Sequence, residues 1–501
     1  MPAMTIAVVG GGITGLAAAW ELTRRLAHLP EPARIVVLEA SPLLGGMLRT
    51  AEVGGHRVDV GAESVLARRP EALELIAEAG LSGSVVHPTA ASATIWSRGR
   101  RWPLPPGTLM GIPSDPGSVL GLLTRAEVDR LRSEPVLPSV TADLSVGDFV
   151  ESRVGPAVVD RLVEPLLAGV YAGHARRLSL RATVPALWLA AQSGAGLVDT
   201  AAAAARRAPL ESAVPRPPGD VPDRAGPVFA GYRGGLGQLV EDLAVRLQER
   251  GVELRTSAMI RELSRTVDGW ALVVGATTSA ERMLVDGVVL ATPATPTSRL
   301  LQTVSPRAAA RLGAIEYASM ALISLALPRK GKAAAGAVGA SGAVDGADLS
   351  GSGFLVPPSE PLTIKAATFS TSKWEWVARL DPEVVHLRTS VGRAGQTATL
   401  QHGDEDLVAT ALADLTVVLG AEVPHPVDAR VQRWGGALPQ YAVGHVETVE
   451  AILADAQAVP ALGLAGAAYE GVGVPACISS GRRAAAAVAT HLLGRGRALR
   501  E

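Results

Sequence analysis

At 501 residues the chain has room for roughly three domains of about 150 residues each, and 48% hydrophobic with 19% charged residues describes a folded globular protein, not a disordered one. A formal net charge of −1 gives no footing for nucleic acid as a partner, and leaves at most peripheral contact with a membrane. The single cysteine, Cys477, excludes an internal disulfide and fits a reducing compartment; with no leader-like segment before the first apolar run, the expectation is a cytoplasmic protein.

The first predicted strand, Thr5 to Val9, is β-branched enough to be buried on both faces of a parallel sheet. It runs into Gly10-Gly11-Gly12-Ile13-Thr14-Gly15 and a predicted helix from Leu16 to Leu26. Gly10, Gly12 and Gly15 match the dinucleotide turn, in which the glycines allow a tight bend, a close approach to pyrophosphate and close helix–sheet packing. The phosphates then rest on the helix N-terminus. A second strand, Arg34 to Glu39, ends in an acid at the spacing of roughly 20 residues at which a carboxylate accepts ribose hydroxyls. After Ala40, a second glycine pair, Gly45-Gly46, precedes Met47 and Arg49, whose guanidinium offers a fork for pyrophosphate. A nicotinamide dehydrogenase has no standard use for this second pair. The stretch resembles the N-terminal signature of the FAD-dependent amine oxidase and porphyrinogen oxidase superfamily.

Next, His56 to Val60 alternates as a strand and enters Gly61-Ala62-Glu63-Ser64. The resemblance puts this turn beside the flavin ring; the plainer alternative is a strand-to-helix turn in which Glu63 or Ser64 caps a helix over Pro70 to Ala79. Ile95 to Pro106 is expected to form a hairpin leaving the nucleotide domain, with Arg98, Arg100 and Arg101 on a basic edge that either meets substrate carboxylates or is simply solvated. Residues 115 to 207 carry helical spacing, and within them Leu144 to Gly155 and Glu164 to Leu180 look like the helical domain of porphyrinogen oxidases. His174, alone in a glycine-rich turn, is expected to be structural. Proline-rich Pro209 to Pro227 suggests a surface linker.

The nucleotide domain is expected to resume at Phe229, with a helix through Arg250 and strands over Gly251 to Ile260 and Val285 to Ala294. By resemblance, the backbone of Ile260 contacts adenine. Ala333 to Gly353 suggests a mobile loop. Gly351 to Pro358, Thr368 to Trp374 and Val385 to Gly392 imply an antiparallel sheet, and the likeness of the first to a cavity-lining turn makes Gly353 and Leu355 candidate substrate contacts. Relatives often carry an aromatic where this chain has Ser352. Arg433 to His445, with Trp434, and Leu464 to Gly481, with Gly466, match the closing motifs of the family. There Val472, Gly473 and Val474 should start the last helix under the flavin pyrimidine, while Cys477 is expected to be packed.

With the resemblance spanning nearly the whole chain, it is identified as a member of the bacterial coproporphyrinogen III/protoporphyrinogen oxidase family. The implied α/β architecture is a Rossmann-like FAD-binding domain (1–90, 225–300 and 455–501), an inserted, mainly helical domain (91–224) and a mixed-sheet substrate domain (301–454). The implied reaction is FAD-dependent oxidation of coproporphyrinogen III to coproporphyrin III in haem biosynthesis, by hydride transfer to flavin N5, with dioxygen as acceptor and hydrogen peroxide released. FAD would be bound non-covalently, no metal is expected, no side chain is singled out as catalytic, and a ferrochelatase is the candidate recipient of product. Protoporphyrinogen IX and amine oxidation are the alternatives. Against the latter, Met47 stands where amine oxidases usually place the arginine, and no lysine lies between Glu316 and Ala326, where they tend to carry one.

Overall fold

Ile6 and Val8 point into one core and Ala7 and Val9 into another, so the first strand is apolar at consecutive positions where a half-exposed strand would alternate. It is the middle strand of a five-stranded parallel sheet in the order Glu253–Arg255, Arg34–Leu38, Thr5–Val9, Gly287–Leu290, Leu462–Leu464. Three separated stretches of chain supply these strands. The strand order reverses at Thr5–Val9, and the crevice beyond the C-terminal ends at such a reversal is where doubly wound sheets take ligands. The helix Ile13–Leu26 covers one face and packs closely on the last helix, Val474–Ala498. Gly481 permits that crossing, since a Cβ there would run into the carbonyl of Thr14.

The computed structural model describes residues 4–89, 92–135, 138–211, 227–329 and 347–498. Most of the expected linker (212–226) and most of the expected glycine/alanine-rich loop (to 346) lie outside the described residues. Among the described residues no helix is long and apolar enough to cross a membrane.

A seven-stranded mixed sheet faces the C-terminal ends of the parallel one across a cavity. Its order is Asp428–Pro439, Tyr317–Pro328, Val384–Val391, Ala366–Thr368, Gly353–Leu355, Ala93–Ser97, Arg100–Pro103, with one parallel pair, Gly353–Leu355 on Ala93–Ser97. The hairpin that begins at Ala93 is therefore part of this sheet, and the helical region starts after it. Tertiary pairing sets that boundary, which no local pattern announces. The helices Val146–Val154, Glu164–Tyr171, Pro185–Ser193 and Leu197–Glu211 belong to that region, whose apolar core includes Phe149, Leu162, Leu167 and Leu187.

Two expected strands are shorter than their pattern suggested. The run from Gly251 to Ile260 is broken by a turn at Ser257, whose φ is 52°, so Glu253–Arg255 joins the parallel sheet and Ile260–Arg265 opens a separate three-stranded meander. Likewise Thr368 ends a strand, and Ser370–Lys373 turns helical.

Candidate functional site

A cavity of about 1040 Å³ lies between the two sheets and is lined from both. On the parallel-sheet side its wall is mostly backbone. Gly10, at φ +106°, sends its N–H to the Leu38 carbonyl at 2.8 Å, which turns the chain sharply into the helix. Gly15 sits so close beneath that a Cβ would overlap the Gly10 carbonyl oxygen. Gly12 is the opposite case: a Cβ there would meet nothing within 4 Å. The space in front of Gly12 is open, and no side chain caps the helix that follows, leaving the N-terminal N–H groups of Ile13 and Thr14 at the cavity wall. The second glycine stretch is tied to the first, since Gly45 N–H donates to Gly11 O at 2.8 Å. Gly11 and Gly15 build this turn from behind the lining, to which Gly45, Gly46 and Met47 contribute.

Glu39 lines the cavity at the end of its strand, with Ala40 beside it. Its carboxylate is braced by the N–H groups of Gly11 at 2.7 Å and Ser41 at 2.8 Å. Arg49 is not in the lining, but its guanidinium lies 5.6 Å from the Trp434 ring and its buried Nε has no partner. An open approach at Gly12, an uncapped helix N-terminus, a fixed strand-end carboxylate and an unsatisfied guanidinium N–H suit the ribose and pyrophosphate of a dinucleotide. Gly61, Ala62, Ser64, Ile260, Trp434, Gly466, Val472, Gly473 and Val474 also line the cavity, and the last helix begins at Val474 as expected. Trp434 is fixed by its indole N–H on the Val60 carbonyl at 3.1 Å.

Several expected site residues are elsewhere. Glu63 points out of the cavity into a buried cluster, 2.5 Å from Lys373 and 3.2 Å from Arg388. Burial alone would raise its pKa, but the two cations outweigh that and hold it at about 2. Arg388 also donates to Gly61 O at 2.5 Å, so Glu63 acts on the cavity wall through Arg388 without facing it. Gly353 is a backbone requirement of strand pairing, since a Cβ there would strike the Ala367 carbonyl; Leu355 alone of that pair reaches the cavity. The arginine hairpin is outside the lining as well: Arg101 pairs with Asp348, Arg100 stacks 3.9 Å over Trp102, and exposed Arg98 is fixed by its backbone N–H on Glu360. The Arg100 and Arg101 side chains are thus engaged locally, and that of Arg98 is exposed. His174 bridges Glu164 and the Ala394 carbonyl, each at 3.1 Å, a structural clamp. Cys477 is buried at the cavity wall, and burial pushes its thiol up to about 11, which keeps it protonated.

The mixed-sheet side is made of side chains: Tyr317, Met320 and Leu322 from the long strand, Leu355, Lys365, and Arg388 with Ser390. Lys365 was not anticipated. It is 5% exposed, its Nζ has Met320 Sδ at 3.9 Å, and burial, followed by the charge of Arg393, lowers its pKa to about 7. A signal was present: a lysine inside the apolar run Leu362 to Phe369, in a chain that nearly always uses arginine for its cations.

A family model described as flavin containing amine oxidoreductase matches residues 13–489. The chain is 39% identical to the coproporphyrinogen III oxidase of Mycobacterium leprae, covering 97% of this chain and 98% of that protein. It is 37% identical to that of Mycobacterium tuberculosis, over 96% of each chain. The Bacillus subtilis coproporphyrinogen III oxidase is 30% identical over 97% of this chain and 98% of its own length. Among solved structures, a proposed protoporphyrinogen oxidase from Exiguobacterium superimposes with a TM-score of 0.79 at 29% identity, covering 98% of this chain and 99% of that one. A putrescine oxidase, with TM-score 0.65 at 16% identity over 98% of this chain and all of its own, shares the fold.

Proposed function

The chain belongs to the flavin containing amine oxidoreductase family, and on that premise we propose that it oxidises coproporphyrinogen III to coproporphyrin III in haem biosynthesis. The observation that carries this reading is the near full-length similarity to proteins of that activity at up to 39% identity. The flavin is taken to be FAD, held non-covalently. Glu39 would hold the adenosine ribose, the helix N-terminus at Gly12 to Thr14 and the Arg49 guanidinium the pyrophosphate, and Ile260 the adenine. Gly61, Ala62, Ser64, Trp434, Gly466 and Val472 to Val474 would surround the ring system. The nucleotide-binding unit would comprise 1–90, 225–300 and 455–501, acting in the cytoplasm.

When bound, the flavin would supply a two-electron acceptor for each of the three successive oxidations that separate the porphyrinogen from the porphyrin, each pair of electrons going on to one dioxygen as hydrogen peroxide. The protein's part is to hold the macrocycle against that acceptor and keep water out. Tyr317, Met320, Leu322 and Leu355 give an apolar surface for the macrocycle. Cys477, kept protonated by burial, adds no competing nucleophile. Product would pass to a ferrochelatase.

Anaerobic stopped-flow reduction tests the proposal. Bleaching of the flavin should be faster with coproporphyrinogen III than with protoporphyrinogen IX at equal concentration. The reverse order would move the assignment to protoporphyrinogen oxidation, the activity named for the Exiguobacterium structure. No bleaching with either would end it.

A further inference from the structure

Lys365 is held rigidly and left without a counter-charge. Its N–H donates to Ser390 O at 2.8 Å and its carbonyl accepts the Val356 N–H at 2.9 Å, so the backbone on both sides is pinned to neighbouring strands. Among the described residues no carboxylate pairs with its ammonium. Beside it, buried Arg393 donates to the Val356 carbonyl at 2.9 Å, has an unpartnered Nε and feels Glu164 as its nearest acid, whereas no described acid acts on Lys365. The other charged and titratable groups on the packed elements are committed. Arg388 is engaged by Glu63 and Gly61, and Tyr317, whose pKa burial raises, donates no charge. Asp414, on the helix Asp404–Leu419, accepts the N–H groups of Thr363 at 2.8 Å and Ile364 at 2.9 Å. Glu39, the one carboxylate among the described lining residues, is braced by backbone on the opposite wall, so no carboxylate of that lining faces Lys365. A buried lysine in that position suits an anion from outside, since an unpaired buried charge is costly until a partner arrives.

We propose that Lys365 is the positioning residue for one carboxylate of the substrate, gripping it through Nζ from the mixed-sheet wall. The inference rests on the reading of the substrate as a porphyrinogen carboxylate and deepens it. It carries a proton signature. Burial and then Arg393 lower the amine to about 7, against an ordinary 10.5. A bound carboxylate favours the ammonium and lifts the value again, so binding above pH 7 takes a proton from solvent.

Calorimetric titration of the flavin-loaded protein at pH 8, in two buffers of different ionisation enthalpy, reads that proton. The probes are coproporphyrin III, the stable tetracarboxylic product, and its tetramethyl ester. Wild type should bind the acid better than the ester and take up about one proton with the acid. Lys365→Arg, permanently charged, should retain acid binding without uptake. Lys365→Met should bind the acid about tenfold more weakly, as expected for losing one charge-assisted hydrogen bond, and the ester unchanged. Uptake that persists in the arginine variant, or equal binding of acid and ester by wild type, overturns the anchor while leaving the proposed function standing. Failure of wild type to bind either porphyrin removes both. The arginine variant carries the test even if the methionine variant fails to fold.

Discussion

The two walls of the cavity are built on different principles. The parallel-sheet wall presents backbone: a glycine turn, a helix end, a second glycine pair and one carboxylate fixed by N–H groups. The mixed-sheet wall presents side chains drawn from segments that are far apart in sequence, and the charge of its Lys365 is set by what is packed around it. A site made of backbone needs particular residue types at fixed spacing. A site made of side chains needs only that strands meet, and many sequences achieve that.

The sharpest break in the first wall is at its glycines. Gly15→Val should push a side chain into the Gly10 carbonyl and abolish the folded, flavin-bound protein, read as loss of flavin absorbance co-eluting with the chain. Gly12→Ala has free space for its methyl and a φ of −71° that alanine adopts readily. It should keep thermal stability within about 1 kcal/mol while weakening flavin binding, because the methyl stands where a phosphate must approach. Equal damage to stability from both would mean that Gly12 is structural and the open space before it is not a ligand site.

That contrast also explains what could be read in advance. The turn, Glu39, the Gly45-Gly46 pair and the start of the last helix at Val474 were legible because local geometry dictates their residue types. Glu63 was misjudged: it is in the expected turn, but alternation along that turn aims it into the Lys373–Arg388 cluster instead of the cavity. Lys365 went unnoticed because its meaning depends on Met320, Ser390 and Arg393, which lie elsewhere in the chain. The arginine hairpin attracted attention through composition, although only Trp102 among its partners lies within the local pattern, and Asp348 and Glu360 come from far along the chain.

The next largest effect belongs to Glu63→Gln, which leaves part-buried Lys373 without its carboxylate and part-buried Arg388 with only Asp59 near it. The loss should be about 3–5 kcal/mol by thermal or denaturant unfolding, and the flavin spectrum should shift as Arg388 releases Gly61. The acid side supplies the sign. A carboxylate held at about 2, against an ordinary 4.5, contributes stability that is present above pH 4.5 and lost as pH falls toward 2. The variant should lack that part of the acid transition; an unchanged profile would show that the cluster stabilises nothing.

Lys365→Met should act in the other direction. A lysine lowered to about 7 in the fold and at 10.5 when unfolded destabilises the protein fully below pH 7, and the penalty fades as pH rises through 10.5. At pH 6 the methionine variant should therefore be more stable than wild type by a few kcal/mol, on the order of 1.4 kcal/mol for each tenfold weakening of proton binding that the substitution relieves. The difference should shrink with each step toward pH 10. A constant offset would indicate ordinary repacking. A stabilising substitution that weakens ligand binding is what a buried group kept for function should give.

The smallest effect is expected at the hairpin, and it bears on both walls. Arg98 and Arg100 are exposed, and Arg100 is engaged with Trp102; an exposed cation over an aromatic ring or in a surface pair contributes about 1 kcal/mol or less. Arg98→Ala with Arg100→Ala should leave the midpoint nearly unmoved and coproporphyrin affinity within about twofold, since neither side chain reaches the cavity. Salt separates the cases further. Attraction by an exposed basic edge is screened with a length of about 8 Å at physiological ionic strength, whereas a buried lysine on a carboxylate is shielded far less. If the hairpin variant lost more affinity than Lys365→Met, and lost it mainly at low salt, the carboxylates would be gathered at the rim. The mixed-sheet wall would then be only an apolar surface against which the macrocycle lies.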